Sequence, residues 1–233
     1  MSSDLCGIFP LFFYAPRKHL DGDQTSSSTS GLGYVSWTES CGPSNTLPPL
    51  SWAARLKIAQ GAARGLMHIH ECSPRKYVHG NIKSSKILLD DHLQPYVSGF
   101  GLTRLVSGAS SKKQNSHQVS TNSVLGSKAS ANSIAYLAPE ARVSGTRFTQ
   151  KCDVYSFGIV LMEVLTARLP DAGPENDGKG LESLVRKVFR DERPLSEIID
   201  PALLHEVYAK KQVLSAFHVA LNCTELTRSC GRG

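Results

Sequence analysis

From Val154 to Leu165 this 233-residue chain is apolar almost without a break: Val154, Phe157, Ile159, Val160, Leu161, Val164 and Leu165 cover nearly every side of a helix. A helix apolar all round does not sit on a surface, because leaving apolar area in water costs about 25 cal/mol per Å². The pattern therefore predicts a helix at the centre of a domain, with other elements arranged to cover it. Two later segments have the single apolar stripe suited to that task. Leu181, Leu184, Val185, Val188 and Phe189 keep i, i+3, i+4, i+7, i+8 spacing, and Val213, Leu214, Phe217, Ala220 and Leu221 mark a second such helix.

An earlier helix opens at Ser51, a residue type that caps helix starts. Leu56, Ala59, Ala62, Ala63, Leu66 and Ile69 then recur at helical spacing, up to a break before Pro74. Its alanines predict close packing against neighbours. Tyr77-Val78, Ile87–Leu89 and Tyr96–Ser98 read as short strands, with Lys83 and Lys86 on the loop between the first two. Residues 1–49 differ: T-S-S-S-T-S at 25–30 and C-G-P-S-N-T-L-P-P at 41–49 suit a flexible arm or a remnant of another segment. Gly31-Leu32-Gly33 lacks the third glycine of a phosphate-cradling loop. Residues 103–135 are serine-rich, polar and aperiodic, which suits a surface loop. Their serines, mixed with Lys112 and Lys113, are candidate phosphorylation targets.

Composition narrows the function classes. With 40% hydrophobic and 20% charged residues the chain is an ordinary globular protein. A net charge of +6 favours anionic surroundings, such as an acidic membrane surface or an acidic partner, and equally serves plain solubility. The basic residues are scattered and no nucleic-acid motif is present, so nucleic acid is not an expected partner. Cys6, Cys41, Cys72, Cys152, Cys223 and Cys230 contain no C-x-x-C and read as free thiols. The apolar stretch Ile8–Tyr14 is broken by Pro10 and falls far below the roughly 20 residues that span a bilayer. His68 and His70, two apart, point to different faces of a helix and are a poor metal pair. Asn222-Cys223-Thr224 fits a glycosylation sequon but falls on a helical stripe, where it is expected to be idle.

The chemistry-bearing phrases come between these elements. They are H-G-N-I-K-S-S-K-I-L-L-D at 79–90, G-F-G-L-T-R-L at 99–105, Y-L-A-P-E-A at 136–141 and K-C-D-V-Y-S-F-G-I-V-L-M-E-V-L-T at 151–166. With W-A-A-R-L-K-I-A-Q-G-A-A-R-G-L at 52–66 and I-I-D-P-A-L-L at 198–204, they closely resemble a plant leucine-rich-repeat receptor-like protein kinase. The resemblance implies a mainly α fold over residues 50–224, the C-terminal lobe of a kinase. Residues 1–49 are too few for the other lobe, which needs about five strands and a helix, so that lobe is expected to be absent. Residues 225–233 diverge from the family.

What the family pattern implies for individual residues is unusual. Asn81 stands where kinases carry the aspartate that accepts or orients the substrate hydroxyl, and an amide does not take up a proton near neutral pH. Such general-base help is worth about 10²–10⁴ in rate. Gly99 replaces the magnesium-binding aspartate of D-F-G, and Lys86 replaces the asparagine that holds a second metal. The family uses ATP and magnesium, but with these ligands missing no cofactor is expected. Lys83 matches the loop lysine that contacts the transferring phosphate, and with Lys86 it is a candidate anion contact. His79 and Phe100 match two positions that stack in the core beneath the site. Gly101 permits the tight turn, and Asp153 matches the aspartate that anchors the loop backbone. Glu140 matches the A-P-E glutamate, which the resemblance leaves without its usual arginine partner; Arg228 and Arg232 are candidate stand-ins.

The reading is a catalytically inactive lobe used as an interaction module in membrane receptor signalling. Its partners would be other receptor kinases or signalling proteins. It would lie at the cytosolic face of the plasma membrane if part of a longer receptor, and in the cytoplasm alone. A functioning serine/threonine kinase and a non-functional truncated product stay open as alternatives. A carboxylate from Asp90 or Asp91 reaching the site would overturn the inactive reading.

Overall fold

Among the elements of the computed structural model, the central helix α2 (Gln150–Thr166) is buried at every position from Tyr155 to Thr166. The structure describes residues 35–36, 49–71, 77–101, 134–142, 148–170, 180–206 and 210–225. Before α2 come strand β1 (Val35–Ser36), helix α1 (Trp52–Glu71), and strands β2 (Ile87–Leu89) and β3 (Pro95–Val97). After it come helices α3 (Leu181–Arg190), α4 (Pro201–Leu204) and α5 (Lys210–Glu225). The described residues are mostly helical, and no described helix is long and apolar enough to cross a membrane. The apolar run in α2 is satisfied by protein on all sides.

Helix α5 packs along α2 at unusually short range. A Cβ on Gly158 would lie 2.8 Å from Cys223 Cβ and 3.0 Å from the Ala220 carbonyl oxygen, so only glycine admits this approach. Val213, Phe217, Ala220, Cys223 and Thr224 form the buried stripe of α5. Leu181, Val185 and Val188 form that of α3, and the rings of Phe189 and Phe217 meet with centroids 5.8 Å apart. Cys223 and Thr224 of the sequon are therefore core, and burial pushes the Cys223 thiol up to about 12. Cys152 and Cys223 are free thiols.

The sheet has the order β1-β2-β3, with both pairs antiparallel and Leu88 opposite Tyr96. Helix α1 covers β3 so closely that a Cβ on Gly61 would fall 2.3 Å from Pro95 Cγ. The alanine pattern predicts close packing, and Ala62 is buried as that pattern requires, with Gly61 beside it against Pro95. One strand expectation is corrected. Tyr77-Val78 forms no strand, and the third strand is Val35–Ser36, inside the segment read as an arm. The rest of that arm, most of the 103–135 loop, the 226–233 tail with Arg228 and Arg232, and Cys6, Cys41, Cys72 and Cys230 lie outside the described residues.

A buried ion pair ties the start of α1 to the far end of the domain. Arg55, 1% exposed, donates to the carboxylate of Asp200, to the Val164 carbonyl (2.8 Å) and, through Nε, to the Leu50 carbonyl (2.9 Å). Asp200 also caps α4 by accepting the Ala202 N–H at 2.9 Å. Trp52 adds two links, from its backbone N–H to Glu206 and from its indole to Gln212. Removing one partner of a buried pair strands the other charge, at about 3–5 kcal/mol. Asp200→Ala is expected to lose that much stability by urea denaturation. Asp200→Asn, which keeps the cap but not the charge, is expected to lose less.

Candidate functional site

The site is assembled around Asp153, in the first turn of α2. Its carboxylate is 1% exposed, and each oxygen accepts one backbone N–H at 2.7 Å, from His79 and from Gly80. His70 Nε2, at the end of α1, lies 2.9 Å from the same group. A carboxylate can be buried when its oxygens are satisfied this fully, and the first turn of a helix favours negative charge. The result is a loop, residues 79–86, whose start is fixed to the most buried helix. His70 of the H-x-H pair belongs to this clasp, while His68 is exposed and on another face.

The His79 ring carries the fixation onward. Nδ1 accepts the Asn81 N–H at 3.3 Å, which leaves Nε2 to donate to the Ser98 carbonyl at 3.1 Å. Both ring nitrogens are used by a neutral imidazole, and burial holds His79 below the usual histidine range. Ser98 in turn donates its N–H to the Lys86 carbonyl at 2.8 Å. The loop and the turn Ser98–Gly101 are thus one unit. Gly99 and Gly101 both have positive φ, +83° and +84°, where a side chain would be strained. The resemblance places Phe100 in the core with His79. Phe100 is instead 41% exposed, lying edge-on to Tyr77 (5.6 Å) and tilted against His79 (6.2 Å), because these two rings cover only part of its surface.

Lys86 lies directly over Gly99. A Cβ on Gly99 would sit 3.3, 3.4 and 3.5 Å from Lys86 Cδ, Cε and Nζ. The same ammonium contributes to lowering Lys83, whose larger cause is burial, and it opposes protonation of His79. Lys86 and Gly99 are therefore together, with Lys83 three residues earlier on the same loop. No described carboxylate pairs with Lys86. Asp90 is committed elsewhere: Oδ1 accepts the N–H groups of His92 and Gln94, and Oδ2 accepts the Tyr96 hydroxyl, closing the β2–β3 turn. Asp91 is exposed on that turn. Among the described residues no three His, Cys, Asp or Glu side chains converge as a metal site. Glu140, partly buried, has the Cys152 thiol 3.8 Å from its carboxylate.

Sequence reasoning missed a buried cluster beneath the loop. Ser84 Oγ is 2.9 Å from the Tyr136 hydroxyl, which donates to Glu163 Oε2 at 2.6 Å. Glu163 is 3% exposed inside α2, and burial pushes its carboxyl up to about 7, against the opposing pull of the Tyr136 and Ser84 hydrogen bonds. The signal was available: Glu163 is the one carboxylate in an otherwise apolar run, and such a group needs donors.

A family profile described as protein tyrosine and serine/threonine kinase matches residues 44–198. The chain belongs to the protein kinase family. Its relatives include plant leucine-rich-repeat receptor-like kinases. "Probable inactive leucine-rich repeat receptor-like protein kinase At1g66830" of Arabidopsis thaliana is 39% identical over 179 residues, 76% of this chain and 25% of the relative. A second Arabidopsis thaliana leucine-rich-repeat relative, also named inactive, is 35% identical over 76% of this chain and 16% of its own length. "Receptor-like protein kinase 7" of the same plant is 32% identical over 79% of this chain and 17% of its own. The chain spans a quarter or less of the length of each of these relatives.

Glu163 makes the seat of the loop sensitive to pH. Its folded pKa lies above its unfolded value, so between about pH 4.5 and 7 the folded state holds a proton that the unfolded state has released. Stability therefore falls as pH rises through that window, by about 3 kcal/mol in total. Glu163→Gln keeps an acceptor for Tyr136 and has no charge. Urea denaturation at pH 5 and pH 8 is expected to show this slope in the parent and a much flatter one in the variant.

Proposed function

We propose that residues 50–224 are a kinase C-terminal lobe without phosphotransfer chemistry, flanked by an arm (1–49) and a divergent tail (225–233), and that it serves as a protein-interaction module in receptor signalling. The observation that carries this reading is the Lys86 side chain lying over Gly99. Magnesium takes oxygen ligands, normally one or two carboxylates beside the phosphates. Here the side chain described against Gly99 is the Lys86 ammonium, and a fixed cation repels a divalent ion. The residues present do not fit magnesium. Asn81 can orient a hydroxyl but cannot accept its proton.

Support also comes from what is kept. The Asp153 clasp and the His79 bridge hold the loop in a defined shape, and shape is what a binding partner reads. Two relatives carry the word inactive in their names. The partners are other receptor kinases or signalling proteins, and the setting is the cytosolic face of a membrane receptor complex.

The test uses the full chain with radiolabelled ATP, magnesium and a protein substrate. The expected outcome is no incorporation above blank and no magnesium-dependent thermal shift with ATP. Magnesium-dependent incorporation that disappears in Lys83→Ala would establish the competing reading, an active serine/threonine kinase. Immobilised chain is expected to bind the kinase domain of at least one named relative. Absence of binding across that panel, with a cooperative melt proving the chain folded, would remove the interaction role.

A further inference from the structure

We infer that Glu163 is a proton-operated latch for the 79–86 loop: protonated, it closes the Ser84–Tyr136–Glu163 chain and seats the loop; ionised, it draws water into the seat and loosens the loop's far end. The inference supplies a regulation for the loop surface invoked in the proposed function, and its test does not depend on that function.

Helix α2 carries two buried carboxylates that hold the loop in different ways. Asp153 is met by two backbone N–H groups at 2.7 Å and by His70 at 2.9 Å. Glu163, 3% exposed, is met by hydroxyls: Tyr136 donates to Oε2 at 2.6 Å, and Ser84 Oγ stands 2.9 Å from the Tyr136 oxygen. Among the described residues no cation pairs with Glu163. An ionised carboxylate has about four acceptor sites, and the Tyr136 and Ser84 hydroxyls have one hydrogen each. A buried charge bonded so incompletely takes up a proton or admits water. Burial accordingly pushes the Glu163 carboxyl up to about 7, and the two hydroxyls oppose this without overcoming it.

The two protonation states ask different things of the loop. Tyr136 gives its one hydrogen to the carboxylate, which leaves Ser84 as a donor toward the cluster. Protonated Glu163 supplies a hydrogen of its own, so the chain is satisfied without further donors. The N–H groups on Asp153 only donate, and the start of the loop has no such switch. Every α2 residue from Tyr155 to Thr166 is buried, whereas Ser84 is followed by exposed Ser85, so water reaches the cluster from the loop side. Charged groups on the neighbouring elements are engaged elsewhere. Arg55 of α1 pairs with Asp200, Glu182 of α3 with Arg186 and Tyr155, and Glu225 of α5 with Arg186. Lys83 and Lys86 flank Ser84 on the loop itself.

The experiment is hydrogen exchange of the full chain at pH 5 and pH 8, read by mass spectrometry with labelling times scaled to intrinsic rates. Opening that hydrates Glu163 returns it toward the ordinary carboxyl range, so rising pH favours the open loop. Peptides over residues 82–89 are expected to lose about tenfold in protection at pH 8, relative to peptides from α3 and α5. That corresponds to a carboxyl that falls by about one pH unit on hydration. Glu163→Gln, neutral at both pH values, is expected to keep the loop protected throughout. His70 and His79, at the other end of the loop, are unchanged in this variant, so a response that persists is theirs. Melts by circular dichroism establish folding. Should Glu163→Gln not fold, Ser84→Ala carries the test, its loop expected to exchange at pH 5 as fast as the parent's at pH 8. Equal loss of protection in loop, α3 and α5 peptides, a loop response that persists in folded Glu163→Gln, or a Ser84→Ala loop as protected as the parent's overturns the latch. None of these outcomes bears on partner binding, and absence of binding to the relatives leaves the latch standing.

Discussion

The carboxylate of Asp153 is the point on which the site's geometry depends. It is a charge buried in the first turn of a helix that is otherwise core, and it is tolerated because two backbone N–H groups and an imidazole saturate it. The benefit is positional. Residues 79 and 80 cannot drift relative to α2, and everything later in the loop inherits that registration. Through His79 the constraint passes to Ser98, and through Ser98 back to Lys86. A closed circuit of hydrogen bonds thus determines where Lys86 and Gly99 meet.

The other buried polar groups follow the same design. Arg55 and Asp200 link the start of α1 to the end of α2 and the cap of α4. Ser84, Tyr136 and Glu163 link the loop, the segment before Pro139 and the middle of α2. Each cluster is costly to bury and gains little net stability over an apolar replacement. What each supplies is a specific arrangement, since a buried polar group accepts only partners at the right place. All three clusters join loops to the central helix. Burying charge to hold loops is sensible only where loop position matters.

The helices were legible because burial leaves a period in the residues. Leu181 to Phe189 and Val213 to Leu221 show one stripe each, and the all-round apolar run in α2 announced its central place. Ile87–Leu89 was legible as a strand, and the third strand was not. Tyr77-Val78 has strand-forming residues but finds no ladder partner, whereas Val35–Ser36 pairs with β2 from within a sequence of loop composition. Pairing over long sequence separation leaves no local trace. The same holds for the polar clusters: nothing adjacent to Arg55 names Asp200, 145 residues away. Phe100 shows a different limit, because family correspondence predicts which residues neighbour one another but not how much water reaches them.

On the proposed reading, the substitutions at 86 and 99 are best understood as one change. Gly99 alone would leave an empty place where a carboxylate had been, and magnesium could still be met by other oxygens. Lys86 alone would place an ammonium beside an aspartate and form an internal ion pair. Together they exchange a negatively charged seat for a mobile cation with a tethered cation. Returning aspartate to position 99 by itself therefore gives no metal seat. The new carboxylate would face the Lys86 ammonium at contact range, on a backbone whose φ of +83° disfavours any side chain.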